Sequence, residues 1–163
     1  MMNGTLQIRE HLLTELETGV RTGASLIRLI RAEDWAYRPQ DNMRSLVELV
    51  HHFIQITASD LVIMQEKGEA EVGQVENSLS GNQDIEQLEK TLWSNFEAYK
   101  AYITSLSEDD FLNRSTKAFY AEHGHLQVQW QIETLTHVFH HRSQLYNYLK
   151  QQGHELNFFM LYA

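Results

Sequence analysis

The sequence predicts an all-α fold, a four-helix bundle, on three observations. Apolar residues recur at three- and four-residue steps in four separate stretches. Only one proline and eight glycines interrupt 163 residues, too few breakers for a protein of many short strands. Two polar stretches, residues 65–83 and 113–127, separate the helices as long connections. A single domain spanning 1–163 is expected, because that length is enough to bury a proper core.

The first helix is expected from about residue 5 to residue 33, with Thr5 as its N-cap and Leu13, Leu16, Val20, Ala24, Ile27 and Ile30 on its inner face. Trp35, Tyr37 and Pro39 follow in a connection that cannot stay helical across the proline. Ser45-Leu-Val-Glu48 is a capping box, in which the serine hydroxyl and the glutamate carboxylate each satisfy a free backbone N–H. It opens a second helix to about Met64, with Leu46, Leu49, Phe53, Ile56 and Ile63 for the core. After the link, Asn82 or Asp84 caps a third helix to about Leu106, carrying Ile85, Leu88, Leu92, Phe96, Tyr99 and Ile103. Ser107-Glu-Asp-Asp110 suggests one short turn, and residues 113–127 read as an extended loop. The fourth helix runs from about Val128 to Gln152, with Val128, Ile132, Leu135, Phe139, Tyr146 and Leu149 as its apolar face and Gly153 as its stop.

Charge and composition remove several function classes. The formal charge is −9, from 22 acidic against 13 basic residues, and no Lys/Arg cluster is present to neutralise phosphates. Nucleic acid and anionic membrane are therefore not expected partners. No apolar run approaches the ~20 residues of a membrane span. Met1 to Arg9 lack a signal-peptide pattern, which points to the cytoplasm. With no cysteine, any transition-metal site must use histidine and carboxylate.

Five of the nine histidines fall in the windows 51–52 and 137–141. His137 and His141, four apart on the fourth helix, share a face and can reach one ion. They flank the expected apolar stripe in a row with Trp130, Thr134 and Tyr148, the mixture of a pocket wall. The alternative is two solvated surface histidines. On the second helix His52 lies beside the core stripe, while His51 points about 100° further round, so His52 is the better ligand candidate. His140 likewise leaves the row. His123 and His125 could form another site or simply make the loop polar. A di-iron carboxylate bundle needs Glu-x-x-His on two helices, and only Glu48-Leu-Val-His51 fits. The zincin His-Glu-x-x-His, a Gly-rich phosphate loop and a Gly-x-Ser-x-Gly elbow are absent.

Ser45-Leu-Val-Glu-Leu-Val-His-His52-Phe resembles the second-helix motif of DinB-like proteins, in which a ligand histidine lies seven after a serine. His137-Val-Phe-His-His141-Arg-Ser-Gln-Leu-Tyr-Asn-Tyr-Leu resembles their final-helix motif. Trp35, Gly153 and the apolar tail Phe158-Phe159-Met160-Leu161-Tyr162 also match, whereas residues 65–127 contribute little. The resemblance implies an up-down-down-up four-helix bundle and a site for one divalent transition metal (zinc, nickel, manganese or iron) on His52, His137 and His141. It implies a metal-dependent thiol S-transferase, passing a small thiol such as bacillithiol to an electrophile. A metal-dependent hydrolase or a non-catalytic binding protein are the alternatives. Glu48, Tyr120, Trp130, Gln144 and Tyr148 are candidates to line the cavity. The apolar tail points to a homodimer, or to a tail that folds back over its own bundle end.

Overall fold

The structure, a computed structural model, describes residues 4–162; residues 1–3 and 163, the ends of the expected domain, lie outside it. It is an all-α fold of six helices and one small antiparallel ribbon among the described residues. α1 is Gly4–Ile27, α2 Leu46–Met64, α3 Glu69–Asn77, α4 Ile85–Ser105, α5 Glu108–Asn113 and α6 Gln127–Gln151. β1, Ser115–Thr116, pairs with β2, His125–Leu126. Each of the four long helices packs on two others: α1 on α4 and α6, and α2 on α4 and α6. The core lies among them. The inner-face residues expected for the first three long helices are all buried except Ile85, which is partly buried.

Several boundaries differ from the sequence reading, each for a local reason. Thr5 does not cap α1, which already includes Gly4. α1 stops at Ile27 and not near residue 33. The N–H groups of Leu29 and Ile30 switch to carbonyls three residues back, and the Asp34 carboxylate accepts from the Arg31 N–H at 2.8 Å, closing a turn. The α2 capping box is present: Glu48 accepts from the Ser45 N–H at 2.6 Å and Ser45 from the Glu48 N–H at 3.4 Å. α4 is capped by Asp84, whose carboxylate accepts from the Gln87 N–H. The turn after Ser107 extends to the full α5.

Residues 65–83 are not all loop, because α3 forms inside them and packs on α2. Glu71 caps the Gly68 N–H at 3.1 Å, and the buried Gln55 amide donates to the Val75 carbonyl at 2.7 Å. Residues 113–127 contain the β1–β2 ribbon. The face expected for the fourth helix is corrected in part: Leu149 is buried, and Val128, Leu135 and Tyr146 pack partly buried against the core. α6 buries Gln127, Trp130, Gln131, Thr134, Val138, His141, Arg142, Leu145, Tyr148 and Leu149, and leaves Ile132 46% exposed. Gly153 does end the helix, at φ 79°, a conformation that glycine adopts without penalty.

α2 is long and apolar enough, at 19 residues and mean hydropathy 1.3, to cross a membrane by length and composition, yet half of it is buried inside the protein. Its apolar side chains are committed to α4 and α6. The tail forms a 3-10 turn at Phe158–Leu161 against α1, and the Leu161 carbonyl accepts from Arg142 at 2.8 Å. The rings of Phe158, Phe159 and Tyr162 remain exposed.

Candidate metal centre

The α2–α6 contact brings His52, His137 and His141 together. His52 lies two turns beyond the Ser45 cap, and His137 and His141 lie one turn apart on the facing helix. The His52 Nε2 is 3.2 Å from the His137 Nε2 and 3.0 Å from the His141 Nε2. One ligand atom from each of the three lies within 4.8 Å of the others. The Gln144 Oε1 is 2.7 Å from the His141 Nδ1. Nδ1–H therefore donates to the amide and leaves the Nε2 lone pair facing the cluster.

The net shift of each of these rings favours the neutral form. Burial is the largest cause holding His52 down to about 3, followed by the positive Arg44 and the neighbouring imidazoles. Burial likewise brings His141 to about 4, against the upward pull of Gln144. It also lowers His137. Three neutral imidazoles with converging Nε2 atoms suit a divalent cation. Two nitrogens bound at about 2.0–2.1 Å to a tetrahedral ion lie roughly 3.3 Å apart, close to the separations between His52 and its two partners. No carboxylate joins the cluster among the described residues.

The other histidines lie elsewhere. The His51 Nε2 is 2.6 Å from the Asn82 carbonyl oxygen, turned away from the cluster. His140 is exposed, with its ring against His141 and its Nε2 3.2 Å from Gln144. His125 pairs with Glu133 and stacks on Trp130, and His123 is exposed. Neither belongs to a metal-ligand cluster among the described residues.

A cavity of about 720 Å³ beside Gln144 is lined by Arg38, Arg44, Glu48, Gln144 and Tyr148, but by none of the three histidines. Two cavities reach the histidines themselves. One of about 490 Å³ is lined by His52, Arg44, Glu48 and Gln55, among others. The other, about 360 Å³, is lined by His137, Asp60, Val72, Phe119 and Tyr120, among others. Four of the five expected lining residues thus have a place. Trp130 is instead buried, donating its indole N–H to Thr116. Sequence reasoning missed Asp60 and Arg44. Asp60 lies eight after His52 on the same face of α2, and that spacing was the available signal. Arg44 makes no ion pair among the described residues, while Arg38 pairs with Glu48 at 2.9 Å.

Solved structures with the same fold include a candidate DinB-family protein from Exiguobacterium sibiricum, at 27% identity, 98% of this chain, 99% of that chain and TM-score 0.79. A DinB-like protein from Bacillus subtilis shares 20% identity over 91% of this chain and 96% of its own, with TM-score 0.68. One from Bacillus cereus shares 13% over 91% and 95%, with TM-score 0.72. No curated protein matches the chain. The family model described as the DinB superfamily matches residues 15–145, and the chain belongs to that superfamily.

Proposed function

We propose that His52, His137 and His141 hold one divalent transition ion (zinc, nickel, manganese or iron), and that the protein uses it to transfer a small thiol to an electrophile. The observation that carries this reading is the convergence of three neutral Nε2 atoms with no carboxylate among them. Held by three neutral ligands, the ion would keep an open position and its positive charge, and would supply a site that takes a small thiol and lowers its pKa. The protein's part is to keep the rings deprotonated by burial and to fix the His141 tautomer through Gln144. It also offers one cavity beside His52 that holds the unpaired Arg44 and another beside His137 that is apolar on one side. We further read the ring of packing among α1, α4, α2 and α6 as an up-down-down-up four-helix bundle, which sets the site between two of its helices.

The first test is metal stoichiometry. H52A, H137A and H141A are expected to lose most bound metal, and H51A and H140A to keep it. Loss in H51A with retention in H52A would overturn the assignment on α2. The second test titrates the cobalt-loaded protein with bacillithiol, glutathione and cysteine. A sulfur-to-metal charge-transfer band is expected with at least one of them. If none produces it at millimolar concentration, thiol transfer fails, and hydrolysis or non-catalytic binding takes its place.

A further inference from the structure

The cavity of about 360 Å³ is walled by the two segments that read as linkers in the sequence: α3 and the loop that carries Phe119 and Tyr120. Its volume falls at the lower end of small-ligand pockets, roughly 300–1,000 Å³. Ile63, Val72 and Phe119 make it apolar on one side, and His137 connects it to the imidazole cluster. Asp60 reaches it from α2. The Asp60 carboxyl is enclosed by protein although the residue keeps some accessible surface through the cavity. No lysine or arginine pairs with it among the described residues. The titratable groups around it are Glu69 and Glu76 on α3, Glu133 and His137 on α6, Tyr99 on α4 and Tyr120 on the loop.

Burial pushes the Asp60 carboxyl up to about 7. A hydrogen bond from Thr134 opposes the rise and the charge of Glu133 adds to it. The single Thr134 hydroxyl proton also goes to the Trp130 carbonyl, at 2.9 Å, which weakens what it can give to the Asp60 carboxylate. An acid that keeps its proton up to about pH 7, in a cavity apolar on one side and shared with His137, is equipped to give up a proton there.

We propose that Asp60 is the proton donor of the reaction at this site, and that the electrophile is one to which the thiol adds: an α,β-unsaturated carbonyl compound or an epoxide. This rests on the thiol-transfer reading above. With an unsaturated carbonyl compound, the sulfur bonds to the β-carbon and the C=C π pair passes to the enolate. The Asp60 carboxylic acid then protonates the α-carbon. With an epoxide, an S–C bond forms, a C–O bond breaks, and the alkoxide oxygen takes the proton. In both cases the proton lost by the thiol restores the Asp60 carboxyl, so one thiol and one electrophile give one thioether and nothing else.

The test compares the wild type with D60N, both cobalt-loaded, on two electrophiles. Addition to 4-phenyl-3-buten-2-one requires a proton at carbon. Displacement on 1-chloro-2,4-dinitrobenzene expels chloride and does not. D60N is expected to keep the cobalt–thiolate band while the ratio of addition to displacement rates falls about 100-fold or more, the usual worth of a general acid. In the wild type, addition should decline as pH rises through the Asp60 titration, and that limb should vanish in D60N. Should D60N not fold, D60A with addition restored by added acetic acid serves instead. An unchanged ratio, or a wild type that shows the band yet accelerates neither reaction, overturns the proposal and leaves thiol binding standing. Absence of a band with every thiol in the wild type overturns both.

Discussion

Acidification of the metal-free protein should reveal two opposed groups of side chains at the site. In an unfolded chain an imidazole titrates near 6.5 and an aspartate near 4. In the fold His52 is held down to about 3 and His141 to about 4. Between pH 6.5 and 5, unfolding therefore takes up about one proton at each of these two rings, and stability falls as pH falls. Asp60 acts in the opposite sense. Raised to about 7, it is protonated in the fold and releases its proton on unfolding, so its contribution grows as pH falls through 7 towards 4. Each proton changes stability by about 1.4 kcal/mol per pH unit. Two taken up against one released leaves a net loss of about 2 kcal/mol between pH 6.5 and 5, to which the lowered His137 adds. D60N removes the opposing group, and the loss should roughly double to about 4 kcal/mol. H52Q removes one of the two rings, and the dependence should flatten. The lowered carboxyls of Asp34, Glu48 and Glu89 titrate below this window and leave it clear. Urea unfolding in EDTA at closely spaced pH values, followed by circular dichroism, measures all three slopes. Equal slopes in the wild type and D60N would refute a protonated Asp60, and an unchanged slope in H52Q would refute the proton-excluding triad.

Two further outcomes are expected. A Cβ at Gly23 would run into the buried Phe53 ring. G23A should therefore lose about 1–3 kcal/mol to overpacking, less the ~1 kcal/mol that alanine gains over glycine in a helix, a net loss of up to about 2 kcal/mol, and a raised Tm would refute the close approach. We also propose a homodimer that uses the exposed Phe158, Phe159 and Tyr162 rings. Sedimentation should then give a dimer for the full chain and a shift towards monomer for a chain ending at His154 that stays folded by circular dichroism. A monomeric full chain, or a truncated chain that is still dimeric, removes the tail from that role.

The sequence was legible wherever burial and periodicity coincide. α1, α2 and α4 each present one apolar stripe to the core, and the capping box fixed the start of α2 to the residue. That start in turn placed His52 and not His51 towards α6. α3 was hidden because Val72 is its only buried residue. It is held by side-chain and cap hydrogen bonds, which leave no period in hydrophobicity. The loop after α5 was hidden for a similar reason, since its ribbon has two residues on each strand. Those two segments wall the Asp60 cavity, so the part of the site least visible in the sequence is the part that would choose the substrate.

α6 shows why the apolar stripe misleads on a helix that carries a site. The row Val128, Ile132, Leu135, Phe139 and Tyr146 is the more hydrophobic one, but the helix turns its mixed row inward. Burying polar groups costs about 1–3 kcal/mol each when they lack partners, so such a row can face the core only if most of it is satisfied; among the described residues only the Gln131 Oε1 and the Arg142 Nε of this row lack a partner. The Gln131 amide donates to the Arg9 carbonyl, Arg142 donates to Thr22 and to the Leu161 carbonyl, Gln127 donates to Thr116, and Thr134 donates to Trp130. Arg142 also lies over the Phe139 ring, 4.2 Å from its centroid, which covers one of the residues left off the core. Apart from the Trp130 carbonyl, one turn back on α6, these partners come from α1, the tail and the ribbon, 11 to 122 residues away, and no local pattern announces them. The rotation was nevertheless recorded in the chain: Trp130, Thr134, His137, His141 and Tyr148 fall in one row, and that row, not the one through Ile132, marks the inward side of α6.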